Sequence, residues 1–194
     1  MNQDFEALLA EVRACRICET QLPHGGRPVV RGKTTARLLV VGQAPGRRVH
    51  ETGIPFNDPS GDRLRDWMGI TREVFYDEAR IAILPMGFCF PGTVPKKGDL
   101  PPRPECAPQW RDRLLAGLPN IELTLVIGAH AQGWHLAGRT GRTLTETVRA
   151  FRDFLPGLLP LPHPSPRNLM WLKKNPWFEV EVVPEIRRRV AALL

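Results

Sequence analysis

Residues 37–42 read Arg37-Leu38-Leu39-Val40-Val41-Gly42, a short apolar run that ends at a glycine. Such a run is typical of a buried strand that opens into a loop. Similar runs occur at residues 79–84, 123–128 and 158–161. We therefore predict four buried strands, each followed by a loop.

Segments with helical spacing or capping signals alternate with these runs. They are residues 5–12, residues 62–68 behind a Ser60 cap, residues 104–118, a segment that begins at Thr143, and residues 185–194. Alternating strands and helices predict an α/β fold, with a mainly parallel sheet covered by helices on both faces. Ligands in such folds bind beyond the carboxyl ends of the strands.

The composition of the chain favours one domain and a polyanionic partner. Its 194 residues are 42% hydrophobic, which is enough for one sizeable core, and its net charge is +7. Clustered Lys and Arg residues gain free energy when they release the counterions of phosphates. Residues 1–6 lack a positive start, and no run approaches about 18 apolar residues. We expect a soluble, cytoplasmic protein that binds no membrane, with a monomer as the favoured state.

The chain has four cysteines, Cys15, Cys18, Cys89 and Cys106. In a reducing compartment they are expected to be metal ligands or free thiols rather than disulfides. Four thiolates can hold one zinc ion or a four-iron cluster. The stretch between Cys89 and Cys106 is too long for a standard zinc ribbon, and this proline-rich segment lacks apolar periodicity and needs anchoring. We therefore favour a cluster over zinc or free thiols.

Two loops carry side chains suited to a reaction chamber. Residues 42–46, Gly-Gln-Ala-Pro-Gly, follow the first strand, and residues 163–168, His-Pro-Ser-Pro-Arg-Asn, follow the last. Prolines stiffen the second loop, which suits groups that must meet charge developing in a transition state. Between the two loops in sequence, Phe56 offers a ring that could stack on a planar base. Taken singly, residues 42–46 are more typical of a structural turn and Phe56 of ordinary packing, whereas residues 163–168 are equally compatible with a prolyl turn.

Taken together, these residues resemble the iron–sulfur uracil-DNA glycosylases, families 4 and 5 of the uracil-DNA glycosylase superfamily. Six features match in chain order: the Cys15/Cys18 pair, residues 37–46, residues 53–64, the Cys89/Cys106 pair, residues 125–128 and residues 163–168. The resemblance implies one domain over residues 1–194, a three-layer α/β/α sandwich around a mainly parallel four-stranded sheet. It also implies a [4Fe–4S] cluster on the four cysteines, and a base flipped from DNA into a pocket between the two loops.

The resemblance also assigns roles to single residues. It implies that Gln43 and Ala44 contact the flipped base largely through their backbone, and that Phe56 stacks on it. His163 would hydrogen-bond the base carbonyl as negative charge leaves the sugar.

On the DNA side, the resemblance implies that Ser165 holds a target phosphate. Arg167 and Asn168 would begin the loop that enters the minor groove. The expected partner is therefore DNA that contains a damaged base.

The first signature, residues 42–46, departs from the best-known branches of this superfamily because it contains no carboxylate. Family 5 shares this lack and draws a carboxylate from a segment that residues 57–61 match, with an aspartate in register. We therefore predict Asp58 as the catalytic carboxylate, with Glu51 and Asp62 as poorer candidates.

A second departure concerns the choice of base. Family 4 places an asparagine a few residues before the third cysteine to read the uracil edge, but residues 83–89 contain none. Either Asn57 takes this role, or the pocket admits another deaminated base, such as hypoxanthine or xanthine.

These features predict a monofunctional DNA N-glycosylase of base-excision repair, with uracil as the first candidate lesion. The alternative is a catalytically silent iron–sulfur module of the same fold that binds nucleic acid. The two departures described above support that alternative.

Overall fold

Short strands form the centre of the protein, whose computed structural model describes residues 2–95 and 98–194. In chain order the strands are β1 (Leu38–Val41), β2 (Ile81–Ile83), β3 (Thr93–Val94), β4 (Gly98–Asp99), β5 (Leu123–Ile127) and β6 (Leu158–Leu161). Four of them form one sheet in the order β2-β1-β5-β6, and all three of its pairings are parallel. Strands β3 and β4 form a separate antiparallel hairpin.

Helices precede, connect and follow the strands. They are α1 (Asn2–Arg13), α2 (Arg47–Thr52), α3 (Pro59–Met68), α4 (Arg72–Phe75), α5 (Cys106–Ala116), α6 (Gly128–His135), α7 (Leu144–Arg149), α8 (Leu169–Lys174) and α9 (Val183–Leu193). Three 3-10 turns (Glu19–Gln21, Phe151–Phe154 and Pro166–Asn168) and a π-helical turn (Phe178–Val182) complete the described elements. None of the helices in the described part of the chain is long and apolar enough to cross a bilayer.

The sheet separates two apolar cores, because successive strand residues point to opposite faces. Leu38 and Val40 belong to the core that α3, α8 and α9 cover. Leu39 and Val41 belong to the core that α1 and α5 cover. The predicted α/β fold with helices on both faces of the sheet is confirmed, and the sheet is parallel throughout.

Strand order explains where a ligand can enter. Strand β1 lies between β2 and β5, so the chain leaves β1 toward one side of the sheet and later returns on the other. Loops that leave neighbouring strands in opposite directions open a crevice at the carboxyl edge. The loops after β1 and β6 both begin at this edge.

Two local expectations were wrong. The cap of α3 is Asp58 rather than Ser60, because the helix begins at Pro59 and the Asp58 Oδ1 accepts the Gly61 N–H at 3.0 Å. Proline suits a first helical position, where its missing N–H is not needed. The stretch between the third and fourth cysteines is not wholly irregular either, because it contains the β3–β4 hairpin.

Candidate active site

A cavity of about 250 Å³ opens at the carboxyl edge of the sheet. Pockets for drug-sized ligands begin at roughly 300 Å³, so the cavity suits a single planar ring system. The structure brings to it most of the residues that the sequence singled out: Gln43, Ala44, Phe56, Asp58, His163, Ser165 and Arg167 all line it. Residues from three separate segments of the chain thus meet in one space.

Backbone hydrogen bonds hold the first signature loop in place. The carbonyls of Gly42 and Gln43 accept the N–H groups of Met86 and Gly87, both at 2.9 Å. The Gln43 side chain donates from Nε2 to the Leu100 carbonyl at 3.1 Å. The loop is therefore fixed to the segment that follows β2 and cannot easily shift when a ligand enters.

Phe56 forms one wall of the cavity in a constrained conformation. Its φ of 53° lies in the left-handed region, which is unusual for a bulky residue. The Phe56 carbonyl lies so close to Gly61 that a Cβ there would overlap it, and the ring packs edge-on against Phe75 at 6.0 Å. A Cβ on Gly42 would also lie 3.2 Å from the ring. The surrounding structure thus fixes the ring before any ligand binds.

Asp58 has two roles available to it. Its Oδ1 caps α3 through the Gly61 N–H, and the half-buried side chain also lines the cavity. Asp62, by contrast, pairs with Arg65 on α3, and Glu51 is exposed on α2. Neither of these two lines the cavity, so the geometry favours Asp58 among the three carboxylates considered from sequence.

His163 is held as a neutral hydrogen-bond donor. Burial lowers the pKa of His163, and the nearby Asp58 and Asp99 carboxylates only partly oppose this shift. The Ser165 N–H donates to His163 Nδ1 at 3.2 Å, which assigns the remaining proton to Nε2. A neutral imidazole with a free Nε2–H can donate to an oxygen that becomes negative during a reaction.

Two side chains support the loop that carries His163. Arg63 of α3 donates to the carbonyls of Pro164 and Ser165 at 3.2 and 3.1 Å. Asn168 Nδ2 donates to the His163 carbonyl at 2.8 Å. Arg63 was not singled out from sequence, because an arginine on a polar helix face gives no local sign of such a role.

The structure adds Asp99, which sequence reasoning missed. It ends β4, is exposed, and lines the rim of the same cavity. A two-residue strand is too short to show an alternating pattern, so no local pattern places residue 99 near the first signature loop.

The residues that line the cavity all lie within the part of the chain that matches a known family. Residues 29–187 match the family model described as the Uracil DNA glycosylase superfamily. The chain belongs to this superfamily. Membership indicates a DNA N-glycosylase that acts on deaminated bases in DNA. The match begins after Cys15 and Cys18, so it contains only the second pair of cysteines.

Asn57 lies outside the cavity lining of this superfamily member. Its Oδ1 accepts a hydrogen bond from Arg72 at 2.7 Å, and its Nδ2 donates to Thr52 Oγ1 at 3.5 Å. A role for Asn57 in reading the base therefore stays a prediction that would require this side chain to move.

The four cysteines line a second, smaller cavity. Cys15 lies just after α1, Cys18 just before a 3-10 turn, Cys89 after β2, and Cys106 at the start of α5. The Phe88 N–H donates to Cys106 Sγ at 3.4 Å. Burial raises the pKa of Cys89 to about 11 and that of Cys106 to about 12. As thiols they are protonated, and a bound metal would have to displace their protons.

Proposed function

We propose that the protein is a monofunctional DNA glycosylase that hydrolyses the N-glycosidic bond of a deaminated base and leaves an abasic site. One observation carries the proposal: the neutral His163 donor, the Asp58 carboxylate and the Phe56 ring line a single space that suits one base. A base stacked in a duplex cannot reach such a space, so the target must flip out of the helix.

The charge of the chain supports a DNA substrate. A net charge of +7 favours binding to phosphates through counterion release. Ser165 and Arg167 line the cavity and Asn168 follows on the same turn. This placement suits a phosphate contact by Ser165 and entry of the turn into the minor groove.

The cavity residues match the charges of glycosidic bond cleavage. As the bond between C1′ and the base nitrogen breaks, its electron pair leaves with the base and positive charge grows on the sugar. The His163 Nε2–H stabilises the negative charge on the base carbonyl, and the Asp58 carboxylate stabilises the cation. Water then bonds to C1′ and gives up a proton, and the departing base anion takes up a proton from solvent. Phe56 stacks on the base throughout, which is worth about 1–3 kcal/mol.

We propose uracil as the first lesion to test, with hypoxanthine and xanthine beside it. No asparagine occurs in residues 83–89, where family 4 reads the uracil edge, and Ile83 and Pro85 line the cavity there instead. An apolar wall discriminates weakly between bases, because it offers no hydrogen bonds to their edges.

We also propose that the chain belongs to the iron–sulfur branch, families 4 and 5, and that the four cysteines hold a [4Fe–4S] cluster. All four line one cavity, which suits a shared group. A tetrahedral zinc ion with bonds of about 2.3 Å would draw its ligands tightly together. Within residues 2–95 and 98–194, no three His, Cys, Asp or Glu side chains lie close enough to hold one ion. A cluster, whose sulfurs are spread more widely, would fasten α1 and α5 to the segment after β2.

The second candidate is a catalytically silent nucleic-acid-binding module of the same fold. The observation that favours it is Ala44, which leaves the first signature loop without a carboxylate of its own.

An excision assay separates the two candidates. Oligonucleotides with uracil, hypoxanthine or xanthine, single- and double-stranded, are incubated with the protein and treated with alkali to cleave abasic sites. We expect cleavage at one or more lesions, and loss of at least about 10²-fold in rate for His163→Ala with little change in DNA affinity. DNA binding without any product from the intact protein would favour the silent module.

A further inference from the structure

A second carboxylate reaches the cavity from a part of the chain that carries no signature residue. Asp99 lines the cavity together with Asp58 and His163. Its Oδ2 lies 3.4 Å from the position that a Cβ on Gly46 would take. Asp99, which is distant in sequence, thus places a negative charge beside the first signature loop. The loop has no such charge of its own, because residue 44 is alanine.

The β3–β4 hairpin fixes the direction of this carboxylate. Thr93 Oγ1 donates to Asp99 Oδ1 at 2.8 Å across the hairpin. The bond uses one carboxylate oxygen and leaves Oδ2 toward Gly46. An oriented carboxylate loses little freedom when it meets its target, which is the condition for effective electrostatic catalysis.

The hairpin also contacts both signature loops. Next to Asp99, the Leu100 carbonyl accepts a hydrogen bond from Gln43 of the first loop. On the other side, the guanidinium of Arg167, from the second loop, packs against Gly98. Asp99 therefore lies between the two loops that enclose the target base in the proposed reaction.

We propose that Asp99 is a further catalytic residue, which faces the sugar and receives the proton of the attacking water; the inference rests on the proposed glycosylase function. The bond from C1′ to the base nitrogen breaks and its electron pair leaves with the base. The water oxygen bonds to C1′, one water proton passes to Asp99, and the departing base anion takes up a proton from solvent. Asp99 then releases its proton, so the products are the free base and an abasic sugar.

Asp58 and Asp99 both contribute negative charge in the proposed reaction. Oδ1 of Asp58 is engaged at the α3 cap, and Oδ1 of Asp99 is engaged by Thr93, so Oδ2 of each carboxylate lies outside these two hydrogen bonds. Both lie close enough to His163 to affect its ionisation. The growing cation is therefore met by negative charge from two chain segments.

The test measures recognition of a cationic sugar, which needs no turnover. Duplexes carry either a pyrrolidine abasic nucleotide, which is positively charged, or a neutral tetrahydrofuran abasic nucleotide. The ratio of the two dissociation constants is compared for the unchanged protein, Asp99→Asn, Asp58→Asn and the control Asp153→Asn, an exposed aspartate outside the cavity. Loss of one negative charge changes the general electrostatic attraction of the protein to both duplexes alike, so this effect cancels in the ratio of the dissociation constants. The Asp99→Asn variant can still accept the Thr93 hydroxyl, and binding of the neutral duplex reports that it folds.

We expect the unchanged protein and Asp153→Asn to prefer the cationic duplex by about tenfold or more, as for a hydrogen bond to a charged group. Asp99→Asn should lose most of that preference, and its kcat for excision should fall by about 10²-fold while KM changes little. Retention of both the preference and kcat in Asp99→Asn would overturn the role of Asp99 and leave the glycosylase proposal intact. A lost preference in a protein that excises none of the three lesions would support Asp99 at the sugar and refute the glycosylase proposal. Absence of both preference and excision in the unchanged protein would refute both.

Discussion

Asp58 both caps α3 and lines the cavity, and two substitutions separate these roles. Its Oδ1 caps α3 at 3.0 Å from the Gly61 nitrogen, and its side chain lines the cavity. Asparagine caps a helix about as well as aspartate, whereas alanine costs about 1 kcal/mol. Asp58→Asn therefore removes the charge and keeps the cap, while Asp58→Ala removes both.

The expected magnitudes differ for stability and for activity. For a protein of this size, a loss of about 1 kcal/mol lowers Tm by about 2–4 °C. We expect that decrease for Asp58→Ala and a clearly smaller one for Asp58→Asn. Excision should fall equally in both variants, by about 10²-fold or more, because both lose the carboxylate that stabilises the cation.

Thermal unfolding and single-turnover excision measure the two effects on the same preparations. Thr143→Ala is the matched control, because Thr143 caps α7 through the Glu146 N–H at 3.1 Å and does not line the cavity. It should lose about the same stability as Asp58→Ala and no activity. Excision at the normal rate by Asp58→Asn would refute the catalytic role of Asp58. If Asp58→Asn lowered Tm as much as Asp58→Ala does, the capping argument would be refuted.

Three further predictions concern stability and cofactor content. Burial lowers the pKa of His135 from 6.5 to about 4. As the pH falls through this range, only the unfolded chain binds a proton at this residue, so the free energy of unfolding should decrease. Chemical denaturation should show a smaller decrease for His135→Gln. Gly61→Ala should destabilise the protein by about 1–3 kcal/mol or more, although alanine favours helices, because its Cβ overlaps the Phe56 carbonyl; a raised Tm would contradict this packing. Protein purified without oxygen should absorb near 400 nm and contain about four irons per chain if the four cysteines hold a cluster, whereas a colourless protein with one zinc per chain would contradict it.

The main sheet could be predicted from sequence because its signals are local. Residues 37–42 and 123–128 are continuous apolar runs between turn residues, and β1 and β5 formed there. The hairpin could not be predicted, since each of its strands has two residues and their pairing depends on contacts with distant loops. The α3 cap was misplaced because Ser60 and Asp58 are both good capping residues, and only the helical position of Pro59 separates them.

The candidate site was predictable where the superfamily signatures supply it. Phe56, Asp58 and His163 were named from sequence, and the fold brings all three to one cavity. Asp99 has no signature, and its distance from Gly46 is a tertiary property that no local pattern encodes. The same limit applies to Asn57, whose side chain the structure places against Arg72 rather than in the cavity.

The hairpin gives a reason for the long interval between the third and fourth cysteines. An extended chain spans at most about 3.3–3.6 Å per residue, so a stretch of sixteen residues that must leave and return can reach only about 26–29 Å. This interval begins at Cys89, carries Asp99 to Gly46, and returns to Cys106 at the start of α5. The segment must therefore be long enough to run out to Gly46 and back, as well as to place both cysteines at the second, smaller cavity. A shortened loop that kept both cysteines would preserve their places around that cavity and withdraw the carboxylate from the rim.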